Sequence, residues 1–447
     1  MKRIRSMIAA ALCTSMCVCA CSSQDSVERP EEPVVSETED VKKETEKEAK
    51  EEKEYQKKLD MIHPSAYDNV MGLELEEGTA LSVIGKADGV PYWEEVKRGA
   101  EQAVEDINEN LGYEGRDRVK VTYSAPGTPD NVDEQVNILD EELARYPAAL
   151  GIAIADVNAC EVQFDLAAES DIPVVAFDSG SAYQGLMAMV STDNQASAKE
   201  AAVRLAELVD DSGEIILFIH DSKSESAMNR ENAFKEEIET NHPEISVAEV
   251  YYMDQLSEMQ KMVAAERNGK IYGEEAGAEE NRAEDSGTGQ DGAGDAAGDT
   301  EGNQTSPAGD GSAQDDTPQA LTEEEQAAAE AITEEEVIDH ILAKHPEVKG
   351  FYATNGEAVK VTVNAMERNK IDAAVVGFDA DQEEIDALSE GKVDALVMQN
   401  PFGMGYATII AAARAALSMG NEAVVDTGYT WLTRDNLEDE TIQKLMY

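Results

Sequence analysis

Cysteine nearly disappears from this chain after its first 21 residues. Of five Cys, four lie at or before position 21 and only Cys160 follows. One thiol closes no internal disulfide, so a hydrophobic core has to hold the fold, and 447 residues leave room for two lobes. Cys160 reads as a small buried residue at the start of a helix. Histidine is equally scarce, with five at positions 63, 220, 242, 340 and 345 and none beside Cys160 to activate it as a nucleophile. Positive charge is short too: 36 Lys and Arg face 94 Asp and Glu, and a net charge of −58 repels phosphates and excludes nucleic acid as a partner. There is no Gly-x-Ser-x-Gly elbow, no phosphate loop and no Gly-x-Gly-x-x-Gly after the first strand. Asp178 and Asp379 could be imagined as a glycosidase pair, but no general acid in an apolar pocket accompanies them. The chain is therefore expected to be no enzyme, and to need no cofactor or metal.

Long apolar runs are also missing at the N-terminus, where they would decide topology. The basic start Met1-Lys-Arg-Ile-Arg5 precedes an apolar run from Met7 to about Ala20, too short to span a membrane of about 20 helical residues. It reads as a signal peptide over residues 1–20. Val18-Cys-Ala-Cys21 resembles a bacterial lipobox, which implies a diacylglycerol on Cys21 and a lipid anchor on the extracytoplasmic face of the cell membrane. Residues 21–78 then read as a lipidated tether of low order, partly helical between about Val41 and Leu59 through Glu–Lys pairs. A second atypical segment spans 268–332. From Gly273 to Glu336, 20 acidic residues face one basic residue, Arg282, and the Gly-rich centre has no apolar periodicity to build a core. Its Asp-x-x-x-Asp spacing lacks the alternate ligands and terminal Glu of a calcium loop. It reads as a disordered acidic insertion.

What remains is a regular alternation of strands and helices. Ala80–Ile84, Val119–Tyr123, Ala149–Ala155 and Pro173–Asp178 read as strands separated by helices, and Ala188–Asn194 leads onward. The pattern then repeats with strands at Glu214–Ile219, Val247–Tyr252, Phe351–Asn355, Ala373–Phe378 and Ala395–Met398. A helix from Gln255 to Arg267 is interrupted by the insertion and resumes at Thr333–Lys344. The fold class is α/β: two doubly wound parallel-sheet lobes joined by a multi-strand hinge. Lobe one takes residues 79–191 and 400–424, and lobe two takes 192–399 and 425–447. In such sheets ligands bind beyond the carboxyl ends of the strands. Three strands of lobe two end on Asn355, Asp379 and Gln399, one βα unit apart, so an amide, a carboxylate and another amide converge on one crevice. Planar donors and acceptors of that kind suit the hydroxyls of a sugar.

The same residues carry a family resemblance. Val376-Gly-Phe-Asp379 and Gln399-Asn-Pro-Phe402 with Gly405 resemble the type I sugar-binding proteins of bacterial ABC importers, the ribose-binding type, from about Thr79 to Tyr447. The resemblance implies a two-lobed periplasmic-binding-protein fold that closes on a sugar and is recognised by an ABC permease. It implies that Tyr92 and Trp93, in Gly89-Val-Pro-Tyr-Trp93, stack on the sugar ring. It also implies that Asp178 accepts from sugar hydroxyls. Ser179 stands where the ribose-binding type has an arginine, and a second such arginine falls on Met228, with Asn229 and Arg230 beside it. Met253 replaces an aromatic and is followed by Asp254, while Lys86 and Asp88 bring charge into the first loop. Ribose itself is therefore not the expected ligand. The function expected is that of a membrane-anchored solute-binding lipoprotein, a monomer that captures a sugar or polyol-like ligand. The alternative on the same fold is a ligand-sensing receptor signalling to a membrane sensor kinase or chemoreceptor.

Overall fold

Two six-stranded sheets form the framework of the protein. The structure is a computed structural model and describes residues 53–268 and 322–447. In chain order the strands are β1 (Ala80–Ile84), β2 (Lys120–Ser124), β3 (Ala149–Ile152), β4 (Val174–Phe177), β5 (Met189–Ser191), β6 (Gly213–Ile219), β7 (Ile245–Tyr252), β8 (Val348–Ala353), β9 (Ala374–Phe378), β10 (Ala395–Gln399), β11 (Val424–Asp426) and β12 (Tyr429–Thr433). Lobe one has the order β11-β5-β4-β3-β1-β2, all parallel. Lobe two has β12-β10-β9-β8-β6-β7, parallel except for β12 against β10. Central strands β3 and β4 are buried along their whole length, as a sheet covered by helices on both faces requires.

One helix crossing organises lobe one. The apolar helix Pro401–Ala416 is almost entirely buried and lies against Pro91–Leu111. Gly99 and Gly405 let the two backbones touch: a Cβ on Gly99 would sit 1.9 Å from the Phe402 carbonyl oxygen, and one on Gly405 1.9 Å from that of Val96. Gly405 is thus needed for packing.

The chain passes between the lobes at Thr192–Asp193, at Gln399–Asn400 and at Thr427–Gly428, and these crossings are hydrogen-bonded together. The Thr427 amide donates to the Ser191 carbonyl at 3.0 Å. Asn400 Nδ2 donates to the Thr427 carbonyl at 3.0 Å, and Thr192 Oγ1 donates to Gln399 Oε1 at 2.9 Å. Beyond the cleft the lobes touch again: the Val157 amide donates to the Lys223 carbonyl at 3.2 Å and the Gly180 amide to Glu225 Oε2 at 2.9 Å.

Several expected boundaries move. The tether does not extend to residue 78, because Leu59, Ile62, Tyr67, Leu73 and Leu75 are buried in the lobe-one core. Asn400 Nδ2 holds the Lys58 carbonyl at 2.7 Å, and His63 pairs with Asp426 beside β11, so this segment straps the hinge. The acidic insertion does not extend to 332 either. A helix Glu323–Glu330, closed by a Thr322/Glu325 capping box, packs on Leu256–Arg267, with Ala329 and Ile332 buried. Glu334–Lys344 is a separate helix with its own Thr333/Glu336 box, not the continuation of Leu256–Arg267. Lobe one keeps the chain through Asp426, since β11 completes its sheet. The signal peptide, Cys21, the earlier part of the tether and the Gly-rich centre of the insertion lie outside the described residues.

Candidate ligand-binding cleft

A cavity of about 590 Å³ lies between the lobes, at the carboxyl ends of both sheets. On the lobe-one side, β4 ends on Asp178, whose backbone is in the left-handed region (φ 59°) with its amide bonded to the Val190 carbonyl. Aspartate is one of the few residues besides glycine that tolerates this turn, which aims its carboxylate into the crevice. Tyr92 donates to Asp178 Oδ1 at 2.9 Å and Lys86 Nζ meets Oδ2 at 3.0 Å. Burial works against the Lys86 charge, but Asp178, Asp130 and Asp221 around it raise its pKa. Pro91 opens the helix that carries Tyr92 and Trp93, placing both aromatics in its first turn. The two rings meet edge to face at 5.1 Å, and Trp93 packs against Phe177 at 6.3 Å. Each ring is 8% exposed, and both line the cavity.

The lobe-two side repeats the device. Asp379 follows β9 with φ 75°, its amide bonded to the Val397 carbonyl. Its Oδ1 accepts from Gln399 Nε2 at 2.6 Å and its Oδ2 from the Gly356 amide at 2.9 Å. Burial raises its pKa, against the pull of Arg230 and these two hydrogen bonds. Asn355 caps the helix Gly356–Asn369 through Oδ1, which accepts from the Ala358 amide at 2.8 Å, so its Nδ2 is left for the cavity.

Arg230 binds the whole wall together. It is 3% exposed, and its guanidinium carbon sits over the Phe378 ring at 4.2 Å from the centroid. Nε donates to Asn194 Oδ1 at 2.8 Å, Nη1 to the Thr354 carbonyl at 2.6 Å and Nη2 to Gln399 Oε1 at 2.8 Å.

Nine of the expected residues come together on this surface: Lys86, Tyr92, Trp93, Asp178, Arg230, Asp254, Asn355, Asp379 and Gln399. Asp254 stands at the exposed rim, its carboxylate on the Ser222 amide and hydroxyl. Three others do not line the cavity. Asp88 is exposed on the turn that follows Lys86, with its amide bonded to the Pro126 carbonyl. Asn229 is one residue from Arg230 on a helix, and 3.6 residues per turn rotate it away. Ser179 is fully buried, and its Oγ accepts from the Ser226 amide of the other lobe at 3.3 Å. It belongs to the contact that joins the lobes.

Several lining residues escaped sequence reasoning. Tyr447 enters the cavity next to Tyr92, at 6.2 Å and edge to face, and its hydroxyl accepts from the Ala380 amide at 3.2 Å. His220 lines the wall and burial lowers its pKa, keeping it neutral. Asp130 faces Lys86 and Asp221, and burial pushes its pKa up to about 6. Glu384 closes the far end. Its Oε2 accepts from the Asp381 amide at 2.8 Å, while Oε1 has no hydrogen-bond partner among the described residues and would touch any Cβ on Gly356.

Burial, with Asp379 and Asp381 nearby, pushes Glu384 up to about 9, from 4.5. The folded chain therefore keeps a proton that the unfolded chain releases, and stability falls as pH rises between about 4.5 and about 9. Glu384→Gln retains a capping oxygen and cannot ionise. Urea melts across that range should show the variant more stable than the parent at pH 8, with a flatter pH dependence. Equal slopes would contradict a protonated Glu384.

Comparison with known proteins bears on the fold. Among curated proteins none matches the chain in sequence. In solved structures, a carbohydrate transporter solute-binding protein from Agrobacterium radiobacter in complex with D-arabinose aligns with a TM-score of 0.59 and 22% identity, over 83% of this chain and 99% of that one. An ABC transporter solute-binding protein from Agrobacterium vitis with bound D-fucose aligns with a TM-score of 0.58 and 19% identity, over 82% and 100%. AraP, an arabinose-binding protein from Geobacillus stearothermophilus, aligns with a TM-score of 0.53 and 21% identity, over 80% and 97%. At these identities the alignments show the fold. The periplasmic binding protein domain family matches residues 81–270 and 310–422, and the chain belongs to that family.

Proposed function

We propose that this chain is the extracytoplasmic solute-binding lipoprotein of an ABC importer, capturing a sugar by lobe closure and presenting it to a membrane permease. The observation that carries the reading is the interlobe cavity, where Asp178, Arg230, Asn355, Asp379 and Gln399 converge beside Tyr92 and Trp93. Charged and planar hydrogen-bonding groups on both lobes, with an aromatic edge, suit a ring bearing hydroxyls and apolar C–H faces. Solute-binding proteins of the same fold hold D-arabinose and D-fucose, which supports a monosaccharide here. Both lobes contribute, so closure buries the ligand and creates the surface a permease reads. The protein acts as a monomer, tethered at the outer face of the cell membrane through a lipid on Cys21.

A thermal-shift screen of the form starting at Ser22 against pentoses, hexoses, polyols and nucleosides tests the binding role. A ligand at 100 times its dissociation constant adds about 2.7 kcal/mol of stability. No shift with any sugar would count against the reading. Anchoring is tested separately. Cys21→Ala should move the protein from the membrane fraction to the soluble one, and retention in the membrane would contradict lipidation at Cys21.

A further inference from the structure

Charge in the cleft is unbalanced. Eight carboxyl groups line the cavity against three cations, and each cation is already engaged. Lys86 is on Asp178 at 3.0 Å, and Lys360 is on Asp381 at 3.0 Å. Arg230 spends donors on Asn194, Thr354 and Gln399. His220 adds no charge. Two of the acids keep a carboxyl oxygen that no hydrogen bond reaches among the described residues. Glu384, 1% exposed, has an Oε1 with no hydrogen bond. The Asp130 carboxylate makes no hydrogen bond or ion pair among the described residues, and feels Lys86 only through space.

Glu384 keeps its proton up to about pH 9, so Asp130 is the carboxylate left uncompensated, and closing two lobes over it is costly unless the ligand supplies the charge. A sugar acid or sugar phosphate would worsen the imbalance. A neutral sugar would leave it in place. An ammonium group supplies donors and the missing charge together. The two acids differ in what they can offer such a group. Glu384 Oε1 is sealed behind Gly356, whereas Asp130 is only half-buried and reachable from the cavity.

We infer that the cleft takes a polyhydroxylated ligand carrying a protonated amine, an amino sugar in chemical class, with Asp130 as the carboxylate that pairs with the ammonium. This rests on the sugar-binding reading and narrows it. Lys86 and Asp178 face Asp130 from lobe one, and His220, Asp221 and Asp254 face it from lobe two. Burial, reinforced by Asp221, Asp178 and Asp254, holds a proton on part of the Asp130 population near pH 6, and an arriving ammonium displaces it.

The test is isothermal titration with matched pairs: D-glucose and D-glucosamine, D-galactose and D-galactosamine, with D-glucuronate and D-galacturonate as anionic controls. In at least one pair the amino sugar should bind at least tenfold tighter than its neutral partner, about 1.4 kcal/mol. The uronates should not bind. At pH 6 the heat of amine binding should change with the ionisation enthalpy of the buffer, because a proton leaves the protein. In Asp130→Asn, with folding checked by melting, the amino-to-neutral affinity ratio should collapse towards one. Neutral sugars binding as tightly as their amino partners would overturn the inference and leave the sugar reading standing. If no sugar of any charge binds, both fall.

Discussion

Arg230→Met is expected to abolish measurable ligand binding and to cost the unliganded fold about 3 kcal/mol, because hydrogen bonds to a charged group contribute about 1.5 to 3 kcal/mol each. The guanidinium joins residues of three chain segments: Asn194 after the first crossing, Thr354 after β8 and Gln399 at the end of β10. Without it the Thr354 carbonyl and Asn194 Oδ1 lose charged donors inside the protein. Gln399 keeps Thr192 on the same oxygen and Asp379 on its Nε2, but its Oε1 loses the charged donor. Asp379 loses the cation that opposes the upward push of burial on its pKa. Arg230→Lys should rescue little, since an ammonium cannot reproduce the planar fork that reaches Asn194, Thr354 and Gln399. Urea denaturation and ligand titration on the same preparations check both effects. Near-native affinity in the methionine variant would show that Arg230 is a structural residue of its helix alone.

Gly405→Val should damage the fold more than any change within the cleft. Its Cβ would lie 1.9 Å from the Val96 carbonyl oxygen and 3.0 Å from the Ala100 nitrogen, both backbone atoms that no rotamer can move. The helices must separate, and the core between them, with Val96, Ala100, Tyr406 and Ile409, opens with them. We expect a loss of at least about 3 kcal/mol, at or above the upper range for overpacking. Gly99→Ala meets the same crossing from the other side. The double variant Gly99→Ala, Gly405→Ala should therefore cost less than the sum of its singles, because the first substitution has already parted the helices. Strict additivity would contradict a shared contact.

The residues legible in the sequence are those whose position follows from topology. Asn355, Asp379 and Gln399 each terminate a parallel strand, and a doubly wound sheet delivers such residues to one crevice whatever the details of packing. Asp178 follows the same logic in lobe one. Tyr447 could not be found that way, since it follows a single helical turn far from the other site residues and only tertiary packing brings it to Tyr92. Asp130 and Glu384 are invisible for another reason: in so acidic a chain, an unpaired carboxylate is recognised only by what fails to surround it. Composition also misled at two boundaries. The Lys- and Glu-rich run before residue 60 hides the core residues Leu59 and Ile62. The glutamates after residue 322 resemble the insertion yet open a capped helix, Glu323–Glu330. The Thr-x-x-Glu spacing at Thr322 was the local signal that could have placed that helix.

The central claim is that Asp178 and Asp379, one from each lobe, hold the sugar between them. Titration of the sugar found in the thermal-shift screen into the parent and into Asp178→Asn, Asp379→Asn tests it most directly, since asparagine keeps the shape of each side chain. Losing two charge-assisted hydrogen bonds should weaken binding by more than about 3 kcal/mol, over 100-fold, while the double variant still melts cooperatively. Unchanged affinity in a folded double variant would contradict the account.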